Sequence, residues 1–188
     1  MNHSAKIQFI FLKQEKHKSW LILFSCLFGE NCYFCGENLK KNDVKYLIYL
    51  DNCCFNRPYD DQTQLRICLE TQAKLHIQSL IYEKKIELVW SFILTFENSR
   101  NIFSAKRKSI EQWESISSFF VEKSDEIKII AEEIMLTGIK AADAAHVACA
   151  ISGNCDFFIT VDKHLLKYKD PRIIICSPLE FINQYLET

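Results

Sequence analysis

The chain has 188 residues, a formal charge of −1, 48 % apolar and 13 % aromatic residues, apolar mass enough for one domain with a sizeable core, alone or with a short appendage. So small a net charge excludes a protein drawn as a whole to polyanions, and any nucleic-acid contact has to come from a local basic patch. Only four Gly and three Pro occur, which argues against long flexible linkers.

Residues 1–43 and 44–188 read differently. The first stretch, an N-terminal extension, sets Lys13, Lys16 and Lys18 before an apolar run from Trp20 to Phe28, shorter than the roughly 20 residues that span a bilayer. A basic region followed by an apolar run resembles a signal peptide; against it stand a long basic part and the lack of a small-x-small cleavage site. Another reading starts translation near Val44, where the folded pattern begins abruptly. Cys32-x-x-Cys35 invites a zinc site, but zinc takes four ligands, no second pair follows at suitable spacing, and Cys26 and His17 are poor substitutes. The nine cysteines are scattered, several in apolar stretches such as Ala148-Cys149-Ala150. That pattern suits free thiols in a reducing, cytoplasmic compartment.

From Lys45 the pattern is regular. Tyr46–Leu50 predicts a buried strand ending at Asp51, and 52–61 a loop. Leu65, Leu69, Ala73, Ile77, Leu80 and Ile81 mark a long amphipathic helix capped by Thr63 or Asp61. Ile86–Trp90 predicts the next strand. A helix follows from about Ser91 with Leu94 and Glu97, and Ser104 opens a helical hairpin. Ser124 or Asp125 caps a helix through Met135, with Gly138 at its C-terminal turn. Lys140–Ile151 is an Ala-rich helix, Asp156–Thr160 a strand, Lys163–Tyr168 a helical turn and Arg172–Cys176 the last strand. Strands alternating with helices imply crossovers and a central parallel sheet inside a three-layer αβα sandwich.

In such sheets ligands gather beyond the carboxyl ends of the strands. Asp51 directly follows the first strand and Asp162 lies two residues past Thr160, so both arrive at that edge. Glu97 sits on the helix after the second strand, and Asp143 in the first turn of the Ala-rich helix. Each acid has an ordinary reading as a turn, cap or surface residue; together they predict one acidic cleft. Two like charges ~4 Å apart repel by about 4 kcal/mol at an effective dielectric near 20, so the cluster calls for a divalent cation or for protonation of some acids. Oxygen ligands favour Mg²⁺ or Mn²⁺ over zinc. Such an ion activates a water and stabilises the leaving oxygen of a phosphodiester.

Four segments also resemble a known family. Leu50-Asp51-Asn52 after an apolar strand is similar to the opening of PIN domains, the nuclease fold that includes VapC-type toxins. Gly138-Ile-Lys140-Ala-Ala-Asp143-Ala-Ala-His146 resembles that family's third-acid helix. Phe157-Phe-Ile-Thr160-Val-Asp162 resembles its Thr-x-Asp segment, and Cys176-Ser177-Pro178 its last strand and closing helix. The resemblance covers about 44–188. It implies a Mg²⁺- or Mn²⁺-dependent endoribonuclease acting on RNA, with Asp51, Glu97, Asp143 and Asp162 as catalytic, metal-binding acids. It further implies a small antitoxin partner lying across the site, and a homodimer. Glu87 competes with Glu97 but falls inside a strand.

Lesser expectations attach to residues around the acids. Asn52 and Thr160 are placed to hold the acids by hydrogen bonds. His146, one turn past Asp143, either touches a substrate phosphate or is a packed or surface residue. Arg57, in the loop beside Asp51, is a candidate phosphate contact, and Tyr59 a candidate stacking surface for an unpaired base. Lys106-Arg107-Lys108 reads as a solvated face. The competing functional reading is a PIN domain without activity that binds RNA or protein. A haloacid-dehalogenase-type phosphatase would need a second Asp where Cys53 stands.

Overall fold

The computed structural model describes residues 45–186. The signal-like run, the alternative start near Val44 and the Cys32-x-x-Cys35 pair lie outside the described residues. Five strands, β1 (Leu47–Leu50), β2 (Glu87–Ser91), β3 (Phe119–Val121), β4 (Phe157–Ile159) and β5 (Ile174–Cys176), form one all-parallel sheet in the order β3-β2-β1-β4-β5. The helices are α1 (Asn52–Asn56), α2 (Leu65–Tyr82), α3 (Phe92–Ser99), α4 (Ser104–Ile116), α5 (Asp125–Met135), α6 (Ala141–Ser152) and α7 (Pro178–Leu186), with 3₁₀ turns at Arg57–Tyr59 and Leu165–Lys167. This is the expected three-layer αβα sandwich.

The central strands are apolar on both faces because both are covered. Ile48, Leu50, Leu88, Trp90, Phe158 and Ile159 are fully buried. Alternation then sorts side chains between layers. Tyr46 and Phe157 meet Phe181 of α7, with Phe157 and Phe181 ring centroids 5.0 Å apart. Tyr49 and Phe158 point the other way, stacked at 5.4 Å, and Tyr49 meets His146 of α6. Two glycines serve the chain's turns. Gly138 takes φ +93°, the left-handed turn predicted after α5. A Cβ on Gly153 would come within 3.1 Å of Val89 and Val121 side chains, so its bareness lets the end of α6 close onto the sheet.

Three expectations need correction. The hairpin after Ser104 is a single helix followed by β3, whose Phe119 and Phe120 are exposed. Three residues with no buried face carry no strand signal; pairing of Val89 with Phe119 and Ser91 with Val121 creates this edge. The 52–61 loop is instead α1 and a 3₁₀ turn. The buried residues of α2 include Glu70, Thr71, Lys74 and Gln78, so it is not cleanly amphipathic, and its N-cap is Gln64. Asp61 binds the Thr63 backbone N–H and hydroxyl one turn earlier. Ser124 does cap α5, accepting from the Ile127 N–H at 3.2 Å.

Candidate active site

Asp51 leaves the end of β1 at the centre of the sheet, and its N–H bonds the Ile159 carbonyl of β4 at 2.9 Å. Two side chains fix its carboxylate through one oxygen. Thr160 Oγ1 donates to Oδ2 at 2.7 Å and Cys53 Sγ donates to the same atom at 2.9 Å. A hydrogen bond with Cys54, burial and the charge of Asp51 push the Cys53 pKa well up, so the thiol keeps its proton and stays a donor. Both bonds to Asp51 fall on Oδ2, and neither uses Oδ1.

Thr160 also ties in the next acid, its Oγ1 accepting the Asp162 N–H at 3.0 Å. Asp162 Oδ1 takes the backbone N–H groups of His164 and Leu165 at 2.6 and 3.3 Å, starting the 3₁₀ turn and orienting the carboxylate. Asp143, in the first turn of α6, has no ion pair among the described residues. Desolvation raises its pKa above the ordinary carboxylate value, and the charges of Asp51 and Asp162 add to the shift; His146 and Lys140 act against it. Asp143 is therefore within electrostatic reach of both Asp51 and Asp162.

Glu97 behaves differently. Its Oε2 accepts from Asn52 Nδ2 at 2.9 Å and stands 3.1 Å from His146 Nε2. The His146 contact is the main reason its pKa is lowered. His146, 2 % exposed, continues inward: Nδ1 pairs with the Tyr49 hydroxyl at 2.8 Å, which pairs with Ser91 Oγ at 2.7 Å. Burial opposes a charged imidazole here, but Glu97, Asp51 and Asp143 outweigh it and raise its pKa. A chain of polar groups thus runs from inside the sheet to Glu97.

Among the described residues no three His, Cys, Asp or Glu side chains stand close enough together to make a ready cage for a metal. The donor chemistry does fit a hard divalent cation: three carboxylates, of which Asp51 and Asp162 add to the desolvation that raises the pKa of Asp143. Glu97 is met instead by His146 and Asn52, which lower its pKa.

The other candidates fall out as follows. Arg57 is enclosed and committed, its Nε 2.9 Å from Glu70 and its Nη1 2.8 Å from Asp60, which staples the 3₁₀ turn to α2. Glu87 pairs with Lys45 at 3.8 Å at the far end of its strand. Lys106 is no mere solvated charge: its Nζ lies 4.9 Å from the Tyr59 ring centroid. With Asn52, Asn56, Asn98, Arg100 and Phe103 it lines a cleft of about 320 Å³ that also touches Glu97. Sequence reasoning missed Tyr49, Ser91, Cys53 and the cleft. Tyr49 alone left a trace, since a tyrosine inside a buried strand needs a partner for its hydroxyl.

The PIN domain family model matches residues 48–171. No curated protein matches the chain. Among solved structures it is similar to VapBC2 from Rickettsia felis bound to a DNA fragment from their promoter, at 14 % identity and a TM-score of 0.45, covering 70 % of this chain and 98 % of that one.

Proposed function

The chain belongs to the PIN-domain family, and on that premise we propose that it is a Mg²⁺- or Mn²⁺-dependent endoribonuclease, the toxin of a toxin–antitoxin pair. The observation that carries this reading is the aspartate group: Asp143 is held above its ordinary pKa in part by Asp51 and Asp162, an arrangement that a bound cation relieves. A divalent ion there supplies Lewis acidity and a deprotonated water for attack on a phosphodiester.

The chain's own residues do the rest. Asp51, Asp143 and Asp162 would hold the ion, and Thr160 and Cys53 fix the Asp51 carboxylate through Oδ2. Glu97 is anchored through Oε2 and would help to hold the ion or to orient water, and the Tyr49–His146 arm sets its position. No Ser, His or Lys nucleophile is needed. A small antitoxin covering the acidic cleft, a homodimeric state and a cytoplasmic location complete the proposal. The six described cysteines are free thiols, which suits a reducing compartment. No helix among the described residues is long and apolar enough to cross a membrane.

A second reading, a PIN domain that binds RNA or protein without cutting, draws on the lack of a ready three-ligand cluster and on the commitment of Glu97 to His146. One experiment separates them. Purified protein and its Asp143→Asn variant are incubated with a mixed RNA pool in Mg²⁺, in Mn²⁺ and in EDTA. The nuclease reading expects metal-dependent cleavage by the wild type alone; retention of RNA with no cleavage in either metal supports the binding module instead.

A further inference from the structure

Lys74 of α2 is 5 % exposed and stands in no ion pair among the described residues. Glu70, one turn earlier on the helix, is committed elsewhere, Oε1 to Arg66 and Oε2 to Arg57, each at 2.9 Å. The elements packed against α2 bring no other anion to it. α1 carries no acid and faces the lysine with the thiol of Cys54. The 3₁₀ turn contributes Arg57, whose Nη1 holds Asp60, and Glu180 of α7 accepts the Ser177 N–H at the start of its own helix. What Lys74 has instead is a ring, its Nζ lying 5.8 Å from the centroid of Phe55 in α1. A benzene face at that distance is a weak substitute for water or a carboxylate. Burial therefore dominates and brings the amine's pKa from 10.5 down to about 7, with Cys54 acting the other way.

Phe55 links this amine to the rest of the molecule. It is 1 % exposed, and its ring lies 5.4 Å from that of Trp90 in β2 and 6.4 Å from that of Trp113 in α4. α1 has five residues, too few to stay helical without packing, and what it buries is Cys54 and Phe55. The residues just before them steady two acids: Cys53 donates to Asp51 and Asn52 to Glu97, each at 2.9 Å. An ammonium formed beneath Phe55 finds neither water nor anion there. It regains water by swinging out on its flexible stem, and the contact under α1 is then lost.

We propose that Lys74 is a proton-controlled wedge beneath α1: neutral, it lets α1 seat on α2, and charged, it loosens α1 and slackens the grip of Asn52 on Glu97 and of Cys53 on Asp51. The wedge stands on the packing of α1 and α2. Its effect on the acids rests on the ribonuclease reading and adds a regulation to it.

The test compares the full-length wild type with Lys74→Met, which holds the neutral form at every pH, and Lys74→Arg, which holds the charged one. All three carry Trp20→Phe, so that emission comes from Trp90 and Trp113. Because His146 titrates in the same range, each curve is read as its difference from Lys74→Met, which keeps that histidine. In chains labelled with carbon-13 at lysine Cε, one resonance absent from Lys74→Met is expected to titrate near pH 7, the others near about pH 10. Tryptophan emission of the wild type should shift to the red over the same range. Lys74→Met should lack that step, and Lys74→Arg should show the red-shifted emission throughout; if the buried guanidinium prevents folding, the Met comparison decides. A Lys74 resonance that titrates with the other lysines overturns the proposal, as does an emission curve identical in wild type and Lys74→Met. RNA cleavage in Mg²⁺ is followed in parallel, and its loss between about pH 8 and about pH 6 should be severalfold greater in the wild type than in Lys74→Met. Equal losses sever the wedge from the acids and leave the nuclease. An emission step with no cleavage by any chain keeps the wedge and removes the nuclease.

Discussion

In one part of the site, Asp143 is desolvated and meets the charges of Asp51 and Asp162 with no ion pair of its own among the described residues, and its pKa rises. In the other, Glu97 is met by His146 and Asn52, and its pKa falls. Both sides hold carboxylates at the same sheet edge. The difference lies in who supplies the positive charge. For Glu97 the protein supplies a partner internally, an imidazole braced by Tyr49 whose pKa is raised. For the aspartates no such partner stands among the described residues, and on the proposed reading a divalent cation would supply the counter-charge.

Asp143→Asn should have the largest effect on this contrast. Cleavage of RNA in Mg²⁺ is expected to fall by about a hundred- to a thousandfold, while the midpoint of urea unfolding holds or rises, because a repelled charge is removed. Loss of stability comparable to a core mutation would mean that Asp143 has a structural partner instead. Mg²⁺ at about a hundred times its Kd should stabilise the wild type by about 2.7 kcal/mol. The thermal shift should vanish in Asp143→Asn and persist in His146→Ala; a shift lost equally in both would merge the two sides into one site.

His146→Ala removes the internal partner of Glu97. A cost of about 2–3 kcal/mol is expected in urea unfolding, below that of a fully buried pair because Glu97 is partly exposed. Tyr49→Phe leaves His146 Nδ1 and the Ser91 hydroxyl without their partner and should cost about 1 kcal/mol. The smallest effect is a pH slope. The folded pKa of His146 lies above its ordinary 6.5, so the folded state binds the extra proton more tightly than the unfolded one. The stabilisation is complete below 6.5, the unfolded value, and is lost as pH rises through the folded pKa. Thermal unfolding in EDTA from acid to mildly basic pH should therefore show stability falling in the wild type and a flatter profile in His146→Gln. An unchanged slope in the variant would assign the titration to another group.

How much of this could be read in advance varies with the kind of signal. Strands β1, β2 and β4 announced themselves as short apolar runs, and α5 by Ser124, Gly138 and its repeating isoleucines. The edge position of Asp51 and Asp162 followed from those strands. β3 did not, because its three residues are made a strand by a neighbour rather than by their own pattern. Arg57 looked free for phosphate because a loop was expected; in the turn that forms, Glu70 and Asp60 claim it. Glu97 could be located on its helix but not paired, since His146 lies 49 positions away and nothing local links them.

By itself, then, the amino-acid order determined the alternation of strands and helices, the parallel sheet and the acids delivered to its carboxyl edge, because periodicity and capping act between near neighbours. Only the tertiary structure decided which acid keeps an internal partner, which arginine is spent on a turn and which lysine is buried with no anion beside it. Those are outcomes of contacts between distant segments, and hydrogen bonds and desolvation act on the partner that the fold brings near.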